Sequence, residues 1–286
     1  MTERILITGA TGQLGRALAE KYQEATALDR ASLDISDASQ VDSVDWSQFD
    51  IILNAAAYVN ADEAQTPEGR RRAWAANAVG PKNLAKVAID NGIHLIHFSS
   101  EYVFDGQTEN HDEGENYSPL QVYGQTKSAG DIAVGLVEKH HILRTSWVVG
   151  DGHNFVKTMT RLADMRIDPF VVDDQFGRLT FTSELVRAVD HLISRDIETG
   201  TYNLSNTGVV RSWAEIAAMT FDKAGHDDRR VRPISTDEYV EKIKPGMAPR
   251  PRSSDLDLSK IRATGFKSND YEDLLGEYIG TLERVK

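Results

Sequence analysis

Tyr123 and Lys127 stand four residues apart in the run Tyr123-Gly124-Gln125-Thr126-Lys127. On a helix such a pair shares one face, one turn above the other. A phenol titrates near about 10 in water, and a fixed ammonium beside it favours its anion. Each pKa unit is worth about 1.36 kcal/mol, so a close cation brings the phenol into use as a proton donor or acceptor near neutrality. A hydroxyl to complete the set is available from Ser99 or Ser100, which end the apolar run Ile93-His94-Leu95-Ile96-His97-Phe98. The spacing alone is common, and an exposed tyrosine beside a solvated lysine is its usual meaning. The pair gains weight from a glycine loop at the other end of the same half of the chain.

That loop is Gly9-Ala10-Thr11-Gly12-Gln13-Leu14-Gly15, a Gly-x-x-Gly-x-x-Gly pattern between the β-branched run Arg4 to Thr8 and a helix with Leu14, Ala17, Leu18 and Tyr22 inward. Glycines let backbone approach a diphosphate, and the following helix N-terminus presents N–H groups and positive dipole to it. A plain tight turn is the alternative, and the strand–turn–helix context favours the cofactor. Ala25 to Leu28 reads as a second strand ending in Asp29-Arg30. Asp29 lies 20 positions after Gly9, where an acidic residue takes the ribose hydroxyls of NAD. Arg30 is the residue type that accommodates a 2′-phosphate, so NADH and NADPH both stay open. Asp34, followed by Ile35, either caps the helix predicted to run through Val44 or reaches an adenine amine.

The elements that must position these groups repeat as βα units, the pattern of a doubly wound parallel sheet. Asp50 to Asn54 is a third strand, leading into Ala55-Ala56-Ala57-Tyr58, small residues that leave room for a flat ligand at the sheet edge. A helix is expected over residues 67–91, kinked or broken by Pro81, with Asn77 and Asn83 as packing or capping groups. Ile93 to Ser99 is the fourth strand, 101–119 a long polar loop where substrate contacts are expected. The helix of Tyr123 is expected to run to Lys139, and His140 to Ser146 returns as a fifth strand. His140 and His141 point to opposite faces of that strand, against a two-ligand metal site.

After Gly150 the pattern changes to helices over 154–166, 182–195, 213–224 and 271–282, with strands at 170–172, 200–204 and 231–234. The 200–204 strand is expected to rejoin the first sheet. The fold class is therefore α/β, a Rossmann-type doubly wound parallel sheet with a smaller mixed α/β portion. The dinucleotide-binding part is expected to span 1–150 with a returning segment near 178–206, and the substrate part 151–177 and 207–286. Residues 244–252, rich in Pro and basic side chains, are placed as a loop over the cleft. With Lys157, Arg161 and Arg178 they form either a cationic set or a merely solvated surface.

Composition bounds the function. The 286-residue chain carries a net charge of −12, with 40% hydrophobic and 27% charged residues. That is ordinary for a globular protein and argues against nucleic acid or an anionic membrane surface as main partner. No cysteine is present, which removes disulfides and thiolate chemistry and suits a reducing cytoplasm. Strand-like sequence from residue 4 leaves no room for a signal peptide, and the apolar runs are too short to cross a bilayer. No ligand set demands a metal, and a homodimer is left open.

Thr8 to Gly15, Asn54 to Tyr58, Ser99 to Gly106 and Tyr123 to Gly130 together resemble the extended short-chain dehydrogenase/reductases. Arg144-Thr145-Ser146-Trp147-Val148, Asp174-Gln175-Phe176-Gly177 and Arg250-Pro251 narrow this to the dTDP-4-dehydrorhamnose reductase family, over nearly the whole chain. The resemblance implies a cytoplasmic NADPH- or NADH-dependent enzyme that reduces the C4 ketone of a dTDP-linked 4-keto-6-deoxyhexose. It implies Tyr123 as general acid, Lys127 as its partner, bonded also to the nicotinamide ribose, and Ser100 as donor to the ketone oxygen. It further implies cofactor contacts from Gly9, Gly12, Gln13, Leu14, Gly15, Asp29, Arg30, Asp34, Ile35, Ala55, Ala56, Ala57, Tyr58 and Ser99. Substrate contacts fall to Ser100, Glu101, Trp147, Asn154, Gln175 and Arg250. Ser100 replaces the family's usual threonine, Glu101 its aspartate and Asp131 its glutamate. The other readings are another nucleotide-sugar 4-reductase or an epimerase of the same superfamily, and a non-catalytic subunit resembling the regulator of methionine adenosyltransferase.

Overall fold

The computed structural model describes residues 3–283. Its first half alternates strand and helix: β1 (Ile5–Thr8), α1 (Gln13–Lys21), β2 (Thr26–Leu28), α2 (Ala38–Asp42), β3 (Ile51–Asn54), α3 (Pro67–Trp74), α4 (Gly80–Asn91), β4 (His94–Ser100), α5 (Val122–Val134) and β5 (His140–Thr145). The rest comprises β6 (Val148–Val149), α6 (Phe155–Asp164), β7 (Phe170–Val172), β8 (Phe176–Gly177), β9 (Thr180–Phe181), α7 (Thr182–Ser194), β10 (Gly200–Asn203), β11 (Arg211–Ser212), α8 (Trp213–Lys223), β12 (Arg232–Ile234), α9 (Thr236–Lys242), α10 (Ser259–Ala263) and α11 (Tyr271–Thr281).

Six strands pair in parallel in the order β10-β5-β4-β3-β1-β2. The chain reverses direction across the sheet between β1 and β3, so the loops after these strands part there and open a crevice. Alternate residues of each strand feed two cores. Ile5, Ile7, Leu53 and Ile96 pack with Leu18 of α1 and Leu185 and Val189 of α7. Leu6, Ile52, Leu95 and Ile142 pack with Leu84, Val87 and Val134 from α4 and α5. Each buried Leu or Ile is worth about 1.5–3 kcal/mol, so the sheet is a firm platform for what lies at its edge. As expected, β10 rejoins this sheet beside β5.

Three short pairings build the smaller portion: β6 with β9, β7 with β12, and β8 with β11. Around them Val156, Ile216, Tyr271 and Leu275 form one core, and Met159, Ala217 and Phe221 another.

Several boundaries differ from the sequence reading. The helix expected to run through Val44 is the short α2, and its cap is Asp37, whose carboxylate accepts the N–H groups of Ser39 and Gln40. Asp34 does not cap it. The 67–91 helix is broken by a π-turn over Ala75–Val79 as well as by Pro81. Proline removes one N–H and clashes with the preceding turn, and the widened turn turns Asn77 inward. There the Asn77 amide accepts from Tyr58 N and donates to Tyr58 O and Thr126 Oγ1. Asn83, likewise buried, donates to Ile35 O. Helix α5 stops at Val134, short of Lys139, at Gly135. The polar loop after β4 is anchored: Val103, Phe104 and His111 in it are fully buried. Arg144 lies 5.1 Å from the Phe104 ring centroid and 5.0 Å from that of Tyr117, which pins the loop to β5.

Candidate active site

A cleft of about 570 Å³ opens at the carboxyl ends of the strands, lined among others by Gly12, Ser100, Tyr123, Lys127, Trp147 and Arg250. A second cavity of about 270 Å³ is lined by Gly9, Arg30, Asp34, Ile35 and Ala55 to Tyr58. Gly12, Ala55 and Ala57 border both, so the two form one trough over the switch point.

The glycine loop is fitted to this trough. Gly9 has φ +69°, and a Cβ there would lie 2.6 Å from Ala56 Cα. A Cβ on Gly15 would meet Gly9 O at 2.1 Å. Neither position tolerates a side chain, because the loop after β3 and the start of α1 press on it. Gly12, the N-cap of α1, brings no side-chain acceptor to the first turn, whose N–H groups are thereby open to an anion. Gln13 and Leu14 line the cleft mouth. At the far end Asp29 Oδ1 accepts Ser32 N and Oγ at 2.9 and 2.8 Å, and Arg30 pairs with Asp34 at 3.1 Å. Asp29 faces neither cavity in this arrangement, whereas Arg30, Asp34 and Ile35 do. These residues fit a dinucleotide laid from Arg30 to Lys127.

Tyr123, Lys127 and Ser100 meet in the cleft. Lys127 is buried and donates to Phe98 O at 2.6 Å, with His97 Nε2 at 3.4 Å. Burial draws its ammonium down to about 8, against the nearby Asp131, which holds it up. Burial pushes the Tyr123 phenol well above its ordinary value; Glu101 adds to this, and Ser100 opposes it. The expected lowering of the phenol by the lysine is therefore not what the chain alone produces: desolvation wins, and the ammonium is turned toward the sheet. Ser100 Oγ donates to Glu101 Oε2 at 2.7 Å. Glu101 is itself buried, and burial raises its carboxyl to about 7 despite the hydrogen bond from Ser100. Ser99 also lines the cleft.

Beneath Lys127 runs a polar row that sequence reasoning missed. Thr8, Asn54 and His97 are neighbours across β1, β3 and β4. Thr8 Oγ1 donates to Asn54 Oδ1 at 2.8 Å, and Asn54 Nδ2 lies 2.9 Å from His97 Nδ1. Burial, then the charge of Lys127, keeps the His97 ring well below its usual pKa. Beside it Arg144 Nε donates to Asp131 Oδ2 at 3.3 Å, both groups fully buried. The available signal was a single polar residue closing an otherwise apolar strand, Thr8 in β1 and Asn54 in β3, with His97 inside the apolar run of β4.

The other predicted residues divide. Trp147, at φ +44°, stacks on Trp213 with centroids 3.6 Å apart. A Cβ on Gly177 would touch the Trp147 ring at 2.9 Å, so this glycine seats the indole. Gln175 does not line the cleft: its side-chain amide donates to Thr236 Oγ1 at 2.9 Å and its backbone carbonyl accepts Trp213 N. It supports the tryptophan pair. Asn154 is also displaced from the cleft, capping α6 through Lys157 N and donating to Gly150 O and Tyr278 Oη. Neither spacing nor composition reveals that the Asn154 amide is taken by a helix cap and that of Gln175 by Thr236. The cationic set is split as well. Lys157 and Arg161 line a separate groove, and Arg178 is paired with Asp255, leaving Arg250 at the cleft. His140 and His141 lie at the opposite end of β5, where His141 Nδ1 is 2.8 Å from His94 Nε2. Among the described residues no cluster of three or more metal-ligating side chains occurs. No helix among them is long and apolar enough to cross a membrane.

The glycine turn at the switch point, with serine, tyrosine and lysine facing it, defines an oxidoreductase of the short-chain dehydrogenase/reductase type. Comparison with known proteins narrows the class: the family described as RmlD substrate binding domain matches residues 3–284, and the chain belongs to that family. A dTDP-4-dehydrorhamnose reductase of Mycolicibacterium smegmatis is 37% identical, over 99% of this chain and 86% of the relative. A dTDP-4-keto-6-deoxy-D-glucose reductase of Streptomyces niveus is 36% identical, over 93% of this chain and 92% of the relative. The crystal structure of a dTDP-4-dehydrorhamnose reductase from Bacillus anthracis in complex with NADP superposes with a TM-score of 0.90 at 37% identity, covering 98% of this chain and 100% of that one.

Proposed function

We propose that this protein reduces the C4 ketone of dTDP-4-dehydro-6-deoxy-L-mannose (dTDP-4-dehydrorhamnose) to dTDP-L-rhamnose, using NADPH or NADH, in the supply of nucleotide sugar for cell-surface polysaccharide. The observation that carries this reading is the convergence of Tyr123, Lys127 and Ser100 on one cleft that continues into the glycine-loop cavity. When bound, the reduced nicotinamide supplies the hydride. Relatives named for this reaction, and one solved with NADP, support the choice of substrate and cofactor.

The chain's own residues then have these roles. As the ketone oxygen gains negative charge, the Tyr123 phenol gives it a proton, a step worth about 10²–10⁴-fold for a positioned acid. Lys127, anchored on Phe98 O, supplies positive charge beside the phenolate that results. Ser100 donates to the same oxygen; positioned donors of this kind contribute about 2.7–4 kcal/mol each in other enzymes. In this structure that hydroxyl is given to Glu101. A Glu101 carboxyl that titrates near 7 holds a proton for much of the neutral range. It can donate to Ser100 Oγ in turn and free the serine proton for the ketone. Trp147, held flat by Trp213, offers an apolar face to the sugar ring, and Arg250 a cation to the diphosphate.

The same reading assigns cofactor binding to residues 1–150 with 178–206, and substrate binding to 151–177 and 207–286. A cytoplasmic location, where the cofactor and nucleotide sugars are made, belongs to it as well.

The test is spectrophotometric: NADH or NADPH oxidation at 340 nm with dTDP-4-dehydrorhamnose, the absorbance wavelength of about 340 nm being that of reduced nicotinamide. One cofactor oxidised per ketosugar supports the reductase; cofactor held without net oxidation points to an epimerase. No reduction at all on a competent ketosugar favours a regulatory subunit. The Streptomyces niveus relative supports a second reading, reduction of a dTDP-4-keto-6-deoxy-D-glucose. Running both ketosugars side by side separates the two by kcat/KM.

A further inference from the structure

Arg250 lines the cleft beside Asp62 and belongs to the segment that follows α9, which also carries Lys244 and Arg252. One carboxylate from the other half of the molecule holds it. Asp62 accepts from Lys244 Nζ, from Ala248 N at 3.0 Å and from Arg250 Nη2 at 2.7 Å. Its footing is firm: Asp62 precedes a 3₁₀ turn, Glu63–Gln65, whose Ala64 is fully buried against Ala73 and Val122. Burial works against the Asp62 anion, but Lys244, the Ala248 N–H and Arg250 outweigh it and hold the group below its ordinary pKa. The held arginine is aimed at the chemistry. Its guanidinium lies 5.8 Å from the Tyr102 ring centroid, and Tyr102 meets Tyr123 edge-on at 5.9 Å. A guanidinium carries five donors, and the bonds to Ala248 O and Asp62 engage two of its nitrogens, so donors remain for an anion in the cleft.

We propose that Asp62 is a positioning residue for the substrate, clamping residues 244–250 over the cleft so that Arg250 meets the diphosphate of a nucleotide sugar. The identity of that ligand rests on the reductase reading above. A carboxylate at the rim of an anion site would otherwise repel its ligand. Here it is outnumbered by the two cations it binds, so the rim keeps a net positive charge while gaining a fixed geometry. Fixing a long cationic side chain in advance removes the ordering cost that binding would otherwise carry.

The sign of one substitution separates the clamp from a mere counter-ion. Asp62→Asn removes negative charge from the rim. Were Asp62 only a competing anion, dTDP binding measured by calorimetry would tighten. The clamp requires it to weaken, by about tenfold, a change fitting the loss of charge-assisted hydrogen bonds. KM for the ketosugar rises in step, kcat stays within about threefold, and NADPH affinity, which reports that the variant is folded, stays within about twofold. In an Arg250→Ala background the same change adds less than about twofold, because its target is gone. Lys244→Met, which loosens the strap without touching the carboxylate, shifts dTDP binding in the same direction by a smaller factor. Tighter or unchanged dTDP binding in Asp62→Asn overturns the proposal, as does an effect of equal size without Arg250, or failure of the unmodified protein to bind dTDP. A protein that binds dTDP but reduces neither ketosugar overturns the reductase reading instead, while the dTDP titrations still decide the clamp.

Discussion

The floor and the rim of the cleft are built on opposite terms. On the floor Lys127, His97, Asp131 and Arg144 are all within 3% of full burial, seated on a six-stranded sheet. At the rim Lys244 is half exposed and Asp62 about one-fifth exposed, joined across two distant stretches of chain. A charge in a dry floor cannot be relieved by water, so each one there fixes the pKa of its neighbours. Rim charges are screened and work by geometry and steering. On the proposed reading, proton chemistry therefore belongs to the floor and ligand choice to the rim.

The comparison can be broken most decisively at the floor. Tyr123→Phe removes the proton donor and keeps the ring; reduction is expected to fall by at least about 10³-fold with NADPH binding retained, read by single-turnover absorbance. Residual activity within tenfold of the unmodified protein would place the acid elsewhere. Asp131→Asn leaves Arg144 buried without its counter-charge, a change worth about 3–5 kcal/mol in urea unfolding. The same substitution removes the group that holds the Lys127 ammonium up. The alkaline fall in kcat/KM, expected through about pH 8 in the unmodified enzyme as that ammonium is lost, should move to lower pH.

Glu101 sharpens the contrast through pH. Its carboxyl is raised by burial from 4.5 to about 7. Between those values the native state keeps a proton that the unfolded chain has released. Its contribution is thus full below pH 4.5 and lost as pH rises through about 7, with a slope of at most about 1.4 kcal/mol per pH unit. Glu101→Gln should flatten that part of the stability profile in urea melts taken from pH 5 to 8, a window set by the raised carboxyl. An unchanged slope would mean that Glu101 is ionised in the folded protein. The smallest effect is expected at the open end of the trough. Arg30, largely exposed and paired with Asp34, is the rim's counterpart on the cofactor side. Arg30→Ala should raise KM for NADPH by about three- to tenfold at low salt and leave that for NADH nearly unchanged. Equal changes for both cofactors would remove Arg30 from the choice between them.

Much of the trough's lining was legible from residue types, though not the buried polar row beneath Lys127. The glycine loop, the small residues after β3, the serine pair at the end of β4 and the tyrosine–lysine turn are local signals, and the sheet brings them together as the βα repeat predicts. What failed to be legible was pairing between remote segments. Asn154 and Gln175 look like ligand groups in one dimension, yet their amides are spent on a helix cap and on Thr236. Lys157, Arg161 and Arg178 share a sign but not a place. Asp62, unremarked in the sequence, gathers three donors from a strap more than 180 residues away.

By itself the sequence determined the alternation of strand and helix, the glycine turn after β1 and the one-turn spacing of Tyr123 and Lys127. Each is set by backbone geometry and periodicity within a few neighbouring residues. Only the tertiary structure decided which charges lose their water, which amides are already satisfied and which cation reaches the cleft. Those outcomes depend on desolvation and on contacts between segments far apart in the chain, and no local pattern encodes them.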